Sequence, residues 1–273
     1  MTGFTEPQIQ RLMEFGDDDR TGLDFPSDLE RDSAFEREMS GLVASNEEGL
    51  RALFRDPRRN DLSEMESRIA DRLVSEGFIE VRTPTVVPLS SLAKMGITRD
   101  HPLYRQMFVI DGKRCLRPML APNLYTVMRR LRDHTDGPVR IFEIGSCFRK
   151  ESKSSRHLEE FTMMNLVELG PEGDATERLA HHIGAVMDAV GLDYSLSREE
   201  SDVYIETLDV EVGGVEVASG AVGPHVLDPA HDIHEPWAGV GFGLERLMML
   251  RDGRSGIRKT SRSLSYLDGY RIG

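Results

Sequence analysis

Cysteine is scarce in this 273-residue chain: Cys115 and Cys147 are the whole supply, far apart and outside any CxxC or Cys/His cluster. Zinc and redox motifs are therefore absent, and the expectation is two reduced thiols packed in strands. Long apolar runs are missing as well. No stretch approaches ~18 uninterrupted apolar residues, and the opening MTGFTEPQIQ has no basic-then-apolar pattern, so neither a membrane span nor a secretion signal is expected and the protein reads as cytoplasmic. Basic charge is in deficit, with 34 Lys and Arg against 47 Asp and Glu and a net charge of −13. That argues against a protein gripping nucleic acid over its whole surface. The deficit is uneven. Acid is concentrated before residue 50, whereas short basic clusters stand at RDPRR, MRRLR and RSGIRKTSR. Each alone reads as a solvated surface, yet an acidic protein with local basic patches still binds RNA, so composition leaves the matter open.

What is present reads as one substantial core with a helical layer before it. Residues 1–56 read as helices over TEPQIQRLMEFG, DLERDSAFEREMSGLV and NEEGLRALF, ending near Pro57. Residues 57–273 then form the main body. Ser63 and Glu66 make a capping-box pattern ahead of Met65, Ile69 and Leu73, and Gly77 stops that helix. FIEVRTP reads as a strand ended by Pro84, and YRQMFVI, the turn DGK and RCLRP read as a hairpin. NLYTVMRRLRDH is a further helix. From Val139 onward IFEIGSCFR, EFTMMNLVEL, ETLDVEV and VEVASGAV alternate as strands around the helix DATERLAHHIGAVMDAVG. Strands that follow one another without strict interleaving by helices imply an α+β fold, an antiparallel sheet flanked by helices.

Three stretches carry chemistry. Period two places Ile141, Glu143, Cys147 and Arg149 on one face of the first strand, and Phe161, Met163, Asn165 and Val167 on one face of the next. As neighbours they would offer a guanidinium, an aromatic plate and one amide in an apolar wall. Asn165 then either meets a ligand or pairs with backbone, since an unsatisfied buried amide is costly. In IETLDVEVGGVEVASG, a two-residue Gly213-Gly214 loop sets Glu211 opposite Glu216. Like charges so placed repel unless solvent or a cation separates them, and Mg2+ suits carboxylate oxygens together with substrate phosphates. Two carboxylates splayed into water are the equal alternative for Glu211. Ser219 joins the same ion only through a kink, for which Gly220 is the natural bulge. In PWAGVGFGLERL, alternating glycines permit close backbone approach and Arg246 lies near a helix start. Arg149 and Arg246 on one nucleoside triphosphate, with a nearby carboxylate and an aromatic plate, would suit attack at its α-phosphorus.

These residues resemble the three signature motifs of the class II aminoacyl-tRNA synthetases: GFIEVRTPTVVP the first, FRKE through HLEEFTMMN the second, GFGLERL the third. Within that class, LRPMLAPNLY, HLEEFTMMN, VGPH and EPWAGVGFGLERL are similar to the pyrrolysyl-tRNA synthetase family, over nearly the whole chain. The resemblance implies that Arg149 holds the α-phosphate and the substrate carboxylate, and Arg246 the γ-phosphate. Phe161 would stack on adenine, with Glu151, His157 and Leu158 around the base, and Glu216 and Ser219 would engage Mg2+. Asn165 would hydrogen-bond the side-chain amide of pyrrolysine and Tyr204 would reach its pyrroline ring. Ala121, Leu124, Tyr125, Met128, Ile141, Val167, Ala221 and Trp237 would line a deep apolar pocket, which lacks the carboxylate a cationic lysine side chain would need.

The implied reaction is ATP-dependent formation of an aminoacyl-adenylate and transfer to the 3′ end of a cognate tRNA, by a homodimer whose first motif forms the dimer contact. Positioning and charge stabilisation suffice without a protein nucleophile. Longer family members carry a separate basic, metal-binding amino-terminal tRNA domain. This chain reads as the short form, whose tRNA contacts come from the helices of residues 1–56 and from RSGIRKTSR. Two rivals stand beside this reading. A related synthetase for phosphoserine or phenylalanine would, in the first case, add Lys or Arg to the pocket. A non-catalytic paralogue binding tRNA or amino acid would be expected to lose Arg149, Glu216 or Arg246, and all three are present.

Overall fold

The computed structural model describes residues 2–17, 22–150, 158–199, 206–254 and 256–273. Thr5 and Gln8 cap each other reciprocally and start α1 (Glu6–Phe15), and Ser27 caps α2 (Asp28–Arg55). After α3 (Asp61–Ser75) come β1 (Ile79–Glu80), β2 (Val86–Pro88), the short α4 (Leu89–Ala93) and α5 (Pro102–Gln106), then β3 (Arg114–Leu116). The body continues through α6 (Ala121–Arg132), β4 (Val139–Phe148), β5 (Glu160–Leu169), α7 (Ala175–Val190), β6 (Ser195–Glu199), β7 (Glu206–Val212) and β8 (Val215–Gly223). It closes with β9 (Trp237–Gly243), α8 (Leu244–Arg251), β10 (Tyr266–Leu267) and β11 (Tyr270–Arg271).

Seven strands form one sheet in the order β1-β4-β5-β9-β8-β7-β6. Every pairing is antiparallel except β1 with β4. Alternation decides what each face buries. Phe142, Met164, Leu166, Val240 and Phe242 point to α3, α7 and α8, where they pack with Ile69, Leu73, Ile183, Val186 and Leu247. Ile141, Val167, Leu169 and Trp237 point the other way, against Leu120, Leu124 and Met128 of α6 and its approach. The expected α+β architecture is therefore present, with the helices on both faces of an antiparallel sheet.

Local details depart from the expected ones for identifiable reasons. The two helices expected across residues 28–55 are one, because Asn46 and Gly49 are spent on tertiary contact and do not break it. Asn46 donates to the Arg271 carbonyl at 2.9 Å and accepts from the Arg271 N–H at 2.7 Å, while a side chain at Gly49 would strike the Tyr270 ring. The α3 cap is Asn60, accepting from Leu62 N–H, and Ser63 lies inside the helix. Tyr104–Gln106 is helical, so the expected hairpin shrinks to a Val109–Cys115 bridge, and β3 pairs chiefly with β2. FIEVRTP contributes a two-residue strand. β6 and β9 add two strands to those expected from the sequence.

A buried charge cluster ties β4, β5 and α7 together. Glu168, fully enclosed, accepts from Arg140 at 2.7 Å, Arg178 at 3.1 Å and His182 at 2.6 Å. Burial alone would raise its carboxyl, but the bonds from His182, Arg140 and Arg178 outweigh it and hold the group at about 2. A depressed folded value stabilises the native state above the ordinary value of 4.5 and ceases to do so as pH falls toward 2. Glu168→Gln is therefore expected to cost ~3 kcal/mol near neutrality and to flatten the acid dependence of stability across that window. Urea unfolding at several pH values measures both, and an unchanged acid limb would contradict the assignment.

Candidate functional site

The face of the sheet turned toward α6 holds a cavity of about 570 Å³. Its floor follows from register. Asn165 on β5 pairs with Gly241 on β9, which pairs with Ser219 on β8; one row on, Val167 pairs with Gly239 and Gly239 with Ala221. The central strand thus presents glycine at 239, 241 and 243 where its neighbours present side chains. A Cβ at Gly241 would lie 2.6 Å from Asn165 Oδ1, so the floor tolerates no side chain there without displacing the amide.

The cavity has a polar and an apolar end. At the polar end stand Arg149, Leu158, Phe161, Glu216 and Arg246. Arg149 is held from beneath: its Nε donates to the Pro118 carbonyl at 2.9 Å and its guanidinium lies 5.2 Å over the Phe161 ring. Pro118 in turn follows Arg117, whose Nη1 meets Glu143 Oε1 at 2.6 Å with both groups buried. Arg117 also donates from Nε to the Ser146 carbonyl and crosses over Gly145, where a Cβ would collide with it. Arg246, in the first turn of α8, donates to the Glu216 carbonyl at 3.0 Å. The two arginines, remote in the chain, therefore border one shared cavity.

The kink that Glu216 and Ser219 require is present, at Val217 and not at Gly220. Asp209 pairs with Ser219, Val210 with Ala218 and Glu211 with Glu216, so Val217 is the extra residue. The bulge puts Glu216 and Ser219 on the same face, and both line the cavity. Glu211 stands opposite Glu216 as the two-residue loop requires.

At the apolar end Ala121, Leu124, Tyr125 and Met128 of α6 face Val167, Ala221 and Trp237. Ile141 does not line the cavity: it is fully buried behind it, packed with Leu124, Met128 and Val167. Asn165 projects between the two ends, and among the described residues its amide has no hydrogen-bond partner. Glu151, His157 and Tyr204 lie outside the described residues.

Two buried carboxylates near the site gave no sequence signal. Glu245 is 1% exposed and accepts the Thr162 N–H through both oxygens, at 2.8 and 2.9 Å; burial raises its carboxyl. It anchors α8 to β5 immediately before Arg246. Asp228, in the short 3-10 turn Asp228–His231, lies behind Tyr125 and Trp237. Met95 and Met119 add to the lining. Cys147, beside Phe161 across the strand pair, is pushed up to about 12 by burial, so no thiolate is available there.

The chain matches the family model of tRNA synthetases class II core domain (F) over residues 52–268. It is similar along its whole length to the crystal structure of pyrrolysyl-tRNA synthetase from Desulfitobacterium hafniense, with a TM-score of 0.94 and 47% identity over 100% of this chain and 99% of that one. A second structure of the Desulfitobacterium hafniense enzyme, PylSc, gives 0.93 and 46% over 99% and 98%. The lysine–tRNA ligase of Cupriavidus necator is 38% identical over 125 residues, 45% of this chain and 20% of the ligase. That of Thiobacillus denitrificans is 31% identical over 154 residues, 51% and 28% respectively. The match thus spans under a third of each of these two lysine ligases.

Because the floor depends on glycine, Gly241→Ala is expected to displace Asn165. Ligands that fill the apolar end should bind roughly tenfold more weakly, the scale of one methyl group in a side-chain pocket, with nucleotide affinity unchanged. Calorimetric titration of each ligand separates the two. Equal losses for both would mean that the sheet, not the floor, had been disturbed.

Proposed function

The chain belongs to the class II tRNA synthetase core family, and on that premise we propose that it activates pyrrolysine with ATP and transfers it to the 3′ end of a cognate tRNA. The single observation that carries this reading is the cavity itself, with two arginines at one end, an apolar chamber at the other and the Asn165 amide between them.

The amino-acid carboxylate attacks the α-phosphorus of ATP in line, one oxygen forming the new P–O bond while pyrophosphate leaves. The tRNA 3′ hydroxyl then attacks the adenylate carbonyl and AMP departs. Arg149 neutralises charge on the α-phosphate and Arg246 on the γ-phosphate, each already hydrogen-bonded to a main-chain carbonyl, so little reorganisation is needed as charge develops. Phe161 supplies the stacking plane for adenine, with Leu158 beside it and Glu151 and His157 completing the base site. Glu216 and Ser219 are the residues that would hold Mg2+, and the bulge that turns both into the cavity supports the fit. Bound there with the phosphates, the cation would offset their charge. Among the described residues no group of three His, Cys, Asp or Glu side chains is placed to hold a metal by itself, which suits an ion that takes most of its ligands from phosphate and water.

Side-chain choice follows from the apolar end. Pyrrolysine carries an amide for Asn165 and a bulky ring for the chamber of Leu124, Tyr125, Met128 and Trp237, and the resemblance assigns Tyr204 to that ring. The similarity to lysine ligases raises lysine as a second substrate. Against it, among the described residues no carboxylate lines the apolar end, and an ammonium there would be unpaired.

Residues 1–56 form the tRNA-contacting layer and residues 57–273 the catalytic core in this proposal. At the end of α2, Phe54 is 87% exposed between Arg51 and Arg55, a basic and aromatic surface suited to RNA. The protein acts as a homodimer through α3 and the sheet edge at β1, where Val74 and Ile79 are exposed. Light scattering should give the mass of two chains, and a monomer at working concentration would refute that part. Among the described residues no helix is long and apolar enough to cross a membrane, and the proposed place of action is the cytoplasm, where tRNA is charged.

Amino-acid-dependent ATP–pyrophosphate exchange tests the central proposal. Pyrrolysine should support exchange and lysine should not. Arg149→Ala should lower the rate at least ~100-fold with an unchanged melting temperature. Asn165→Ala should relax side-chain selection more than it lowers ATP affinity. No exchange with pyrrolysine, or near-normal exchange by Arg149→Ala, would overturn the reading.

A further inference from the structure

The apolar end of the cavity is shaped by two aromatic side chains that share one hidden partner. Tyr125 comes from the first turns of α6 and Trp237 from the first position of β9. Asp228 stands between them, 1% exposed and absent from the cavity lining. Its Oδ1 accepts from the Tyr125 hydroxyl at 2.9 Å, and its Oδ2 accepts from Trp237 Nε1 at 2.7 Å and from the His225 N–H at 2.6 Å.

The geometry leaves each ring little freedom elsewhere. Tyr125 meets Trp237 edge-on, centroids 5.9 Å apart at 78°, and lies 4.6 Å from the His231 ring. Across the sheet from Trp237 is Gly223, where a Cβ would occupy the indole's place. Packing thus brackets the rings, and the Asp228 carboxylate ties both together by direct hydrogen bonds. A buried carboxylate so placed is an acceptor only, matched to three donors. Removing it takes these bonds from the indole N–H, the Tyr125 hydroxyl and one main-chain N–H at a buried carboxylate, a loss that favours turning of the indole.

We infer that Asp228 is a positioning residue for substrate side-chain selection: it orients Tyr125 and Trp237 and thereby sets the width of the chamber, without touching the substrate. The inference rests on the reading of that chamber as the amino-acid pocket. It also predicts which replacement is tolerated. In Asp228→Asn the amide oxygen can still serve Trp237 and His225, and the Tyr125 hydroxyl can rotate to accept from the amide nitrogen. Asp228→Ala has no such substitute.

The protein carries its own reporter, since Trp237 is the sole tryptophan. Its emission in the substrate-free protein should shift in Asp228→Ala and return near the wild-type maximum in Asp228→Asn. In exchange kinetics, Asp228→Ala should raise the KM for pyrrolysine at least about tenfold, the scale of one lost hydrogen bond to a buried charged group, with the KM for ATP unchanged, and Asp228→Asn should recover most of that loss. Should Asp228→Ala fail to fold, Tyr125→Phe keeps the ring, deletes the hydroxyl and should raise the pyrrolysine KM severalfold with the ATP KM unchanged. An unshifted emission with unchanged KM values, or equal losses for ATP and pyrrolysine, would overturn the positioning role while leaving wild-type exchange intact. A silent wild type would instead sink the pyrrolysine reading itself.

Discussion

Everything at the site depends on a strand that, beyond Trp237 at its start, turns glycine toward the cavity. β9 runs through the sheet between β5 and β8 and faces the cavity with Gly239, Gly241 and Gly243, while its other face buries Ala238, Val240 and Phe242 in the core. Glycine in a strand interior normally weakens it. Here the loss is offset by pairing on both edges and by full burial of the alternate residues. What the glycines leave empty is the volume in which a nucleotide and an amino acid can meet. The same strand then runs directly into α8, so the residue that follows the floor by three positions is Arg246.

Charge is placed around this volume by groups that are themselves buried. The buried Arg117–Glu143 pair fixes the segment that offers the Pro118 carbonyl to Arg149. Glu245 fastens α8 to β5 beneath Arg246, and Asp228 fastens the two aromatic walls. Buried ionic groups are weak evidence of stability in themselves. Their worth here is directional: each holds a cavity-lining group in one orientation, the preorganisation that charge stabilisation in a displacement reaction requires.

Much of this was legible from residues alone. Alternation assigned Phe161, Met163, Asn165 and Val167 to one face, because a strand's period admits only two choices. The two-residue Gly213-Gly214 loop determined that Glu211 opposes Glu216. Where local rules are degenerate, the reading slipped. The bulge fell at Val217 and not at Gly220, because a bulge needs no special residue when the neighbouring pairing supplies the twist. Asn46 and Gly49 resemble helix breakers, but their side-chain chemistry serves contacts with residues more than two hundred positions away. Ile141 has the right parity for the pocket yet lies one layer too deep, a distance that periodicity cannot express. Asp228 carries no motif, and its role exists only because α6 and β9 bring Tyr125 and Trp237 to it.

In the proposed reaction the amino-acid carboxylate, steered between Arg149 and Arg246, attacks the α-phosphorus. Isotope tracing tests it directly. Pyrrolysine labelled with oxygen-18 in its carboxylate, turned over with ATP and cognate tRNA, should deliver a single labelled oxygen to AMP and none to pyrophosphate. Label in pyrophosphate or inorganic phosphate, or AMP released without label, would contradict it.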